Sequence, residues 1–273
     1  MSRVVLVTGC TTGGIGHALA QEFAHQGCIV YATSRRVETI ADLGNPKIHK
    51  LTLDVTSDEN IQSVIQEILT KEGRLDVVVN NAGVICPGPL IDSSSDDVRK
   101  TFETNTFAIL RVAKAVVPEM AKRRQGLIIN IGSIVGQIAT PWNGIYCASK
   151  AAVDSISQVL SMECRPLGIK VFHVAPAAIK SNIADTGANN FSLAPNSLYK
   201  SFLANIMDRI YSSQGPHSMP AEVFARQVVA KALQENPPLY LCLGGQSLLL
   251  TILTWLPRRL VMGIIWRRYS KKL

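Results

Sequence analysis

The chain has 273 residues, of which 47% are hydrophobic, 18% charged and 6% aromatic. This length allows one large domain or two small ones, and this composition excludes disordered, collagenous and coiled-coil proteins. The six cysteines lie far apart and have no histidine partners at zinc spacing, so we expect reduced thiols, no disulfide framework and no metal site. The apolar run near the N-terminus is too short for a signal peptide or a membrane span, so secretion is not expected.

The net charge of +8 comes mostly from the end of the chain. Residues 239–273 hold six basic side chains and no acidic one, and the remaining residues are nearly neutral together. A nucleic-acid-binding protein would spread basic and aromatic side chains over one face of its body, and the sequence has no such stripe there. We therefore expect no nucleic-acid partner.

Taken in chain order, short β-branched runs alternate with stretches of helical periodicity. Apolar residues recur at helical spacing from Ile15 to Phe23 and again from Ile61 to Leu69. Strands that are apolar on both faces and alternate with helices predict a doubly wound α/β (Rossmann) fold with a seven-stranded parallel sheet and helices on both faces. The predicted strands are residues 4–7, 29–32, 48–53, 75–79, 127–131, 169–174 and 239–243.

A glycine-rich turn, residues 8–16, joins the first predicted strand to a helix. Glycines in such a turn let the backbone approach a pyrophosphate, and the helix N-terminus offers unpaired N–H groups to the phosphates. A plain strand-to-helix loop is the alternative, but the position after the first strand favours nucleotide binding. The contacts expected from this turn are Gly9, Thr12, Gly14 and Ile15.

Basic residues follow the second predicted strand, where NAD-binding enzymes carry an acid. Ser34 stands at the position of that acid, and Arg35 comes next. A guanidinium suits a ribose 2′-phosphate, which a carboxylate would repel, so we expect NADP(H) as the cofactor. Solvated arginines at the start of a helix are the alternative. Further cofactor contacts are expected where the third and fourth strands end, from Asp54, Asn81, Ala82 and Gly83.

Tyr146 and Lys150 stand four residues apart in a long helical pattern. They share one helix face, so the lysine ammonium can approach the tyrosine hydroxyl. Lowering a phenol pKa of about 10 by about 3 units requires about 4 kcal/mol in favour of the phenolate. One cation about 5 Å away supplies about 3 kcal/mol at an effective dielectric constant of about 20. The pair predicts a tyrosine acid of lowered pKa, although this spacing alone also occurs by chance in many helices.

Two further polar residues occur at positions that, together with the motifs above, form a known order of motifs along the chain. Ser133 follows the fifth predicted strand, and Asn105 begins the long helix before that strand. With the glycine-rich turn, Asp54 and residues 81–83, the sequence resembles the short-chain dehydrogenase/reductase family over most of its length. The resemblance implies an NADP-dependent oxidoreductase acting on a carbonyl or secondary alcohol group.

The resemblance implies roles for four catalytic residues. Tyr146 would be the general acid for carbonyl reduction, and Ser133 would hydrogen-bond the carbonyl oxygen. Lys150 would lower the tyrosine pKa and bind the nicotinamide ribose. Asn105 would hold a proton-relay water.

The resemblance also implies that Ile179 and Ser181 contact the nicotinamide amide. The glycine-rich turn is one residue longer than the family's usual spacing, which leaves open whether Gly13 or Gly14 approaches the phosphates. Ala177 stands where many relatives have glycine, so backbone freedom is reduced there.

Within the family, residues 8–16, 145–152, 182–185 and 219–233 resemble fungal members that reduce 1-acyldihydroxyacetone phosphate with NADPH. We expect reduction of a lipophilic ketone, with that phosphate ester as the leading candidate. Steroid, retinoid and secondary-metabolite ketones are alternatives, and a non-catalytic NADP-binding scaffold is an alternative of another class. The resemblance also favours a homo-oligomer.

The chain divides into one NADP-binding domain, residues 1–245, and an apolar, basic tail, residues 246–273. The apolar runs of the tail are shorter than the roughly 20 residues that cross a bilayer. With Trp255 and Trp266 as anchors, they suit helices lying in a membrane surface, on the cytoplasmic side of the endoplasmic reticulum or a lipid droplet. The alternative is that the tail folds over the substrate pocket or packs in a dimer. The protein would then be cytoplasmic. Residues 182–220 are expected to form a mobile lid, with 188–215 largely irregular.

Overall fold

The computed structural model describes residues 2–270 and contains one parallel sheet. Its seven strands are hydrogen-bonded in the order β3-β2-β1-β4-β5-β6-β7. They are β1 (Val4–Val7), β2 (Ile29–Ser34), β3 (Ile48–Thr52), β4 (Val77–Asn80), β5 (Gly126–Ile131), β6 (Ile169–Pro176) and β7 (Tyr240–Leu243). All neighbouring pairs are parallel. The predicted doubly wound fold is confirmed.

Helices connect the strands and cover both faces of the sheet. They are α1 (Ile15–His25), α2 (Asp58–Glu72), α3 (Ser95–Phe102), α4 (Ala108–Lys122), α5 (Gly144–Cys164), α6 (Ile183–Asn189), α7 (Leu203–Ile210), α8 (Ala221–Ala232), α9 (Ser247–Leu253) and α10 (Arg258–Tyr269). A turn of π-helix, Glu103–Phe107, joins α3 to α4.

The core consists of two layers because side chains alternate along each strand. From β1, Val5 and Val7 pack in the layer that includes α1 and α8, whereas Val4 and Leu6 pack in the layer that includes α2 and α4. All four side chains of β1 are buried. A strand covered on both faces reads as a continuous apolar run, which is the pattern that the sequence shows.

Several element bounds differ from the sequence-based expectation by one or two residues, as strand β2 shows, and one predicted loop contains a helix. Strand β2 continues beyond residue 32 to Ser34, because Ser34 still pairs with Thr52 of β3. The stretch 188–215, expected to be irregular, contains α7. Ile206 and Ile210 of α7 are buried against Trp142, so the helix is stabilised by packing that the local sequence does not reveal.

The last two helices fold back over the end of the sheet. Leu253 of α9 and Ile265 of α10 are buried with Ile138, which follows β5. Trp142 Nε1 donates to the backbone oxygen of Tyr269 at 3.1 Å. Within residues 2–270, no helix combines the length and the apolar character needed to cross a membrane.

Candidate active site

A cavity of about 960 Å³ opens at the carboxyl ends of the strands. It lies where the strand order reverses between β1 and β4, which is where parallel sheets bind ligands. The glycine-rich turn and the end of β2 line one half, and α5, α7, α9 and α10 line the other. The first is the dinucleotide half of the cavity, and the second is the substrate half.

The glycine-rich turn is shaped by backbone conformations that favour glycine. Gly9 and Gly13 have φ of +73° and +76°. A Cβ on Gly9 would lie 2.7 Å from the Cα of Ala82, so the turn packs directly on the loop after β4.

The structure shows which of Gly13 and Gly14 can approach the phosphates, a question that the sequence left open. Gly14 lines the cavity with Thr12 and Ile15, whereas Gly13 does not line it and packs against the side chain of Asn182. The extra residue of the turn is therefore absorbed by the left-handed Gly13. Gly14 begins α1 with no side-chain cap, and α1 has no acid in its first turn. Its first N–H groups are suited to a phosphate.

Asn81 holds the glycine-rich turn in place. Its Nδ2 donates to the backbone oxygens of Thr8 and Gly9 at 2.8 and 3.0 Å. The hydroxyl of Thr8 accepts from the backbone nitrogens of Asn81 and Ala82 at 2.9 and 3.0 Å. The side chain of Asn81 therefore shapes the dinucleotide half by joining β1 to β4. Gly83, two residues on, lines the cavity beside Lys150.

The end of β2 fits a 2′-phosphate and carries no acid. The Ser34 hydroxyl is buried and lies 3.0 Å from the hydroxyl of Thr39. Arg35 is exposed and lines the cavity, as does Arg36, and neither guanidinium forms an ion pair within the described residues. This donor set matches the cofactor class that the sequence predicted.

Asp54 also lines the dinucleotide half. Its partial burial favours the neutral acid, but the hydrogen bonds from Thr56 and the charges of Arg35 and Arg111 outweigh burial and lower its pKa. Thr56 donates to Asp54 Oδ1 through its backbone nitrogen at 2.9 Å and its hydroxyl at 2.7 Å. The carboxylate is thus ionised and able to accept a hydrogen bond.

Tyr146 and Lys150 lie together in the first turns of α5, as the spacing predicted. Lys150 Nζ is 5.7 Å from the centroid of the Tyr146 ring. It is buried, and it donates to the backbone oxygen of Ile131 at 2.8 Å. Because burial disfavours the ammonium, the pKa of Lys150 falls to about 8.

Ser133 lies at the end of β5 and lines the cavity together with Tyr146. Its hydroxyl donates to the backbone oxygen of Pro176 at 3.3 Å, and it also hydrogen-bonds the hydroxyl of Tyr146. The backbone nitrogen of Val135 donates to it at 3.3 Å. The two hydroxyls of Ser133 and Tyr146 therefore face one point in the cavity.

The expectation of a lowered tyrosine pKa is wrong. Burial raises the pKa of Tyr146 to about 12, and the hydrogen bond with Ser133 and the charge of Arg209 oppose this rise only in part. The sequence argument counted the attraction of the ammonium but not the cost of burying the phenolate. Tyr146 is consequently a protonated phenol at neutral pH.

Asn105 is the predicted site residue that does not line the cavity. It lies in the π-helical turn and is buried behind the wall. Its Oδ1 accepts from the backbone nitrogen of Val84 at 2.8 Å, and its Nδ2 donates to the Val84 oxygen at 2.9 Å and to the Ser149 hydroxyl at 3.0 Å. The side chain joins the loop after β4 to α5, and its expected hold on a relay water stays a prediction.

Ile179 and Ser181 line the cavity after β6. Ile179 is buried, and the backbone nitrogen of Ser181 donates to Gln214 Oε1 at 3.2 Å. Ala177 has no positive φ, and its nitrogen bonds to the oxygen of Leu243 at 2.7 Å, so alanine is accommodated there without strain.

The family to which the chain belongs agrees with this geometry. The family model for short chain dehydrogenases matches residues 3–190. The chain belongs to the short-chain dehydrogenase family. The resemblance seen in the sequence is confirmed, and with it the expectation of an oxidoreductase.

Relatives of this short-chain dehydrogenase include two named reductases. The 3-ketodihydrosphingosine reductase of Bacteroides thetaiotaomicron is 33% identical over 258 residues, which cover 93% of each chain. The NADPH-dependent 1-acyldihydroxyacetone phosphate reductase of Schizosaccharomyces pombe is 34% identical over 210 residues, which cover 76% of this chain and 71% of that protein. A solved structure of ElxO with NADP bound aligns with a TM-score of 0.74 at 30% identity, covering 91% of this chain and 99% of that one.

Sequence reasoning missed much of the substrate half of this short-chain dehydrogenase. Trp142 has a φ of +64° and packs against Trp266 of α10, with ring centroids 5.8 Å apart. Arg209 of α7 also lines the cavity. No local pattern in the sequence marks these residues. The described residues contain no group of three or more potential metal ligands.

Proposed function

We propose that this short-chain dehydrogenase reduces a lipophilic ketone to a secondary alcohol, with 1-acyldihydroxyacetone phosphate as the leading substrate. The cofactor is NADP(H). One observation carries the proposal. The Ser133 and Tyr146 hydroxyls and the Lys150 ammonium lie close together, between the dinucleotide half and the largely apolar substrate half of the cavity. Two relatives, at 33% and 34% identity, are named as reductases of 3-ketodihydrosphingosine and of 1-acyldihydroxyacetone phosphate, which supports this substrate class.

The residues have distinct tasks in such a reduction. NADPH, when bound, supplies the hydride that adds to the carbonyl carbon. Ser133 donates a hydrogen bond to the carbonyl oxygen, and Tyr146 transfers its proton to that oxygen as negative charge develops there. The raised pKa of Tyr146 keeps this proton in place until the reaction. Lys150 holds the ribose and stabilises the phenolate that is left.

Tyr146→Phe tests the proposal directly. We expect this variant to lose about a hundredfold or more of the turnover with long-chain ketones, because it lacks the proton donor. The measurement is the optical loss of NADPH over a panel of acylated, steroid and retinoid ketones. Tyr211→Phe is the matched control, since Tyr211 is 41% exposed and lies outside the cavity.

The outcomes separate the alternatives. Unchanged turnover in Tyr146→Phe would refute the assignment of the acid. A wild-type protein that binds NADPH but reduces no ketone would be the non-catalytic scaffold. Turnover confined to steroids, retinoids or secondary metabolites would move the substrate to the second candidate.

We further propose that the enzyme works at the cytoplasmic surface of the endoplasmic reticulum or a lipid droplet. Trp255, in the turn between α9 and α10, and Leu260 and Met262 of α10 lie on the surface, at 81%, 52% and 69% exposure. Arg258 and Arg259 begin α10 beside them. Apolar side chains flanked by cations suit an anionic lipid surface. The expected homo-oligomer stays a prediction.

A further inference from the structure

An arginine lines the substrate half of the cavity and forms no ion pair within residues 2–270. Arg209 of α7 is partly buried and lines the cavity. Its Nε donates to the Thr140 hydroxyl at 2.8 Å and its Nη1 to the Ser212 hydroxyl at 3.0 Å. Among the described residues no carboxylate lies within 4.0 Å of it. A guanidinium has five N–H groups, so most of its donors are left for a ligand.

The contacts of Arg209 place its charge close to the reacting groups. Thr140, which it binds, lies 3.7 Å from the sulfur of Cys147, and Cys147 is the residue after Tyr146. Burial raises the pKa of Tyr146, and Arg209 is near enough for its charge to oppose that rise. Arg209 and Tyr146 line the same cavity, so a ligand whose carbonyl is bound at Tyr146 could carry an anionic group to Arg209.

A second guanidinium lies on the same aromatic ring. The Cζ atoms of Arg209 and Arg268 are 5.5 and 5.7 Å from the centroid of the Tyr269 ring. Arg268 also lines the cavity, and it too has no ion pair within residues 2–270. Both guanidinium groups therefore lie against the Tyr269 ring, and within residues 2–270 neither is paired with an acid.

Among the described residues, no acid that lines the cavity forms an ion pair with Arg209 or Arg268. Asp92 Oδ2 accepts from the Ser197 hydroxyl at 2.5 Å, and Asp97 Oδ2 accepts from the Ser94 hydroxyl at 2.6 Å. Lys100 lines the cavity near them and adds positive charge. The two guanidinium groups are consequently available to an anion.

We propose that Arg209, assisted by Arg268, forms a subsite for a phosphate group carried next to the ketone of the substrate. This inference rests on the proposed function and specifies it. A guanidinium binds phosphate through paired hydrogen bonds, and a partly buried one is less screened by water. The same charges repel an ammonium group, so the subsite selects phosphate esters over amino ketones.

The test compares two ketones that differ only in the phosphate. These are 1-hexadecanoyl-dihydroxyacetone phosphate and the dephosphorylated ketone. We expect Arg209→Gln to lower the ratio of kcat/KM for the phosphate ester to that for the dephosphorylated ketone by about ten- to a hundredfold, which is the effect of a lost hydrogen bond to a charged group. Arg209→Lys should recover part of this ratio. Arg267→Gln, which adjoins Arg268 but lies outside the cavity, should leave it unchanged.

A binding measurement separates this inference from the proposed function. We expect glycerol 3-phosphate to bind the NADP-saturated wild-type protein in calorimetry and to bind Arg209→Gln at least tenfold more weakly. An equal loss of activity on both ketones with a lower melting temperature would show a merely structural arginine and overturn the subsite. Absence of glycerol 3-phosphate binding to the wild type would also overturn it, even where Tyr146-dependent ketone reduction stands.

Discussion

At the scale of single residues, the site depends on the balance between burial and charge. Lys150 is 4% exposed, and its ammonium is held by one backbone oxygen, that of Ile131. Burial lowers its pKa and raises that of Tyr146, because each group is less stable when charged in a poorly hydrated site. The phenol and the ammonium are thus both protonated at pH 7.

The pKa of Lys150 predicts how cofactor affinity changes with pH. Since this pKa is about 8, the ammonium is present below pH 8 and is lost as the pH rises through that value. The dissociation constant of NADPH, measured by fluorescence between pH 7 and pH 9.5, should increase across that range. Lys150→Met should bind more weakly at pH 7 and lack this inflection. A wild-type curve without the inflection, or the same curve in the variant, would contradict the prediction.

Arg35 predicts the choice between the two nicotinamide cofactors. Its exposed guanidinium faces the cavity beside Ser34, where a 2′-phosphate would lie. Arg35→Ala should weaken NADPH binding about tenfold or more and leave NADH binding nearly unchanged. Titration of both cofactors checks this, with the exposed Arg226→Ala on α8 as the control. Equal effects on NADPH and NADH would refute the 2′-phosphate role.

At the scale of secondary-structure elements, the last two helices have two different faces. One face packs Leu253 and Ile265 against Ile138 and covers the substrate half. The other leaves Met262 of α10 exposed, and Trp255 in the turn between the two helices is exposed as well. The tail therefore folds over the substrate pocket, as the alternative interpretation expected. Its opposite side is an exposed apolar surface, which is suited to contact with a lipid bilayer.

This exposed face predicts binding to lipid. Trp255→Ser combined with Met262→Ser should reduce binding to vesicles of mixed neutral and anionic phospholipid about tenfold or more, since two large apolar side chains are lost. Co-flotation with vesicles at low and high salt is the measurement. Leu198→Ser is the control, because Leu198 is equally exposed, at 81%, but lies outside the tail. If the wild-type protein does not bind the vesicles at low salt, the membrane proposal is wrong.

At the scale of the whole molecule, the fold gathers distant segments around one cavity. The turn at residues 8–16, the helix that carries Tyr146, the arginine of α7 and the helices at the end of the chain all line it. The order of strands brings the first two together at the reversal point between β1 and β4. Packing on Trp142 brings α7 and α10 across the opening, which encloses the substrate half in a largely apolar wall.

The sequence by itself determined the sheet, the dinucleotide turn and the pairing of Tyr146 with Lys150. Strand and helix periodicity, a glycine-rich turn and a four-residue spacing are local properties, so they are legible along the chain. The roles of Gly13 and Gly14, the existence of α7 and the direction of the Tyr146 pKa shift depended on tertiary structure. Each follows from contacts or burial supplied by residues distant in the chain, such as Asn182 beside Gly13 and Trp142 beneath α7. Local pattern carries no information on such contacts, and for that reason the position of Arg209 in the wall of the cavity became visible only in the tertiary structure.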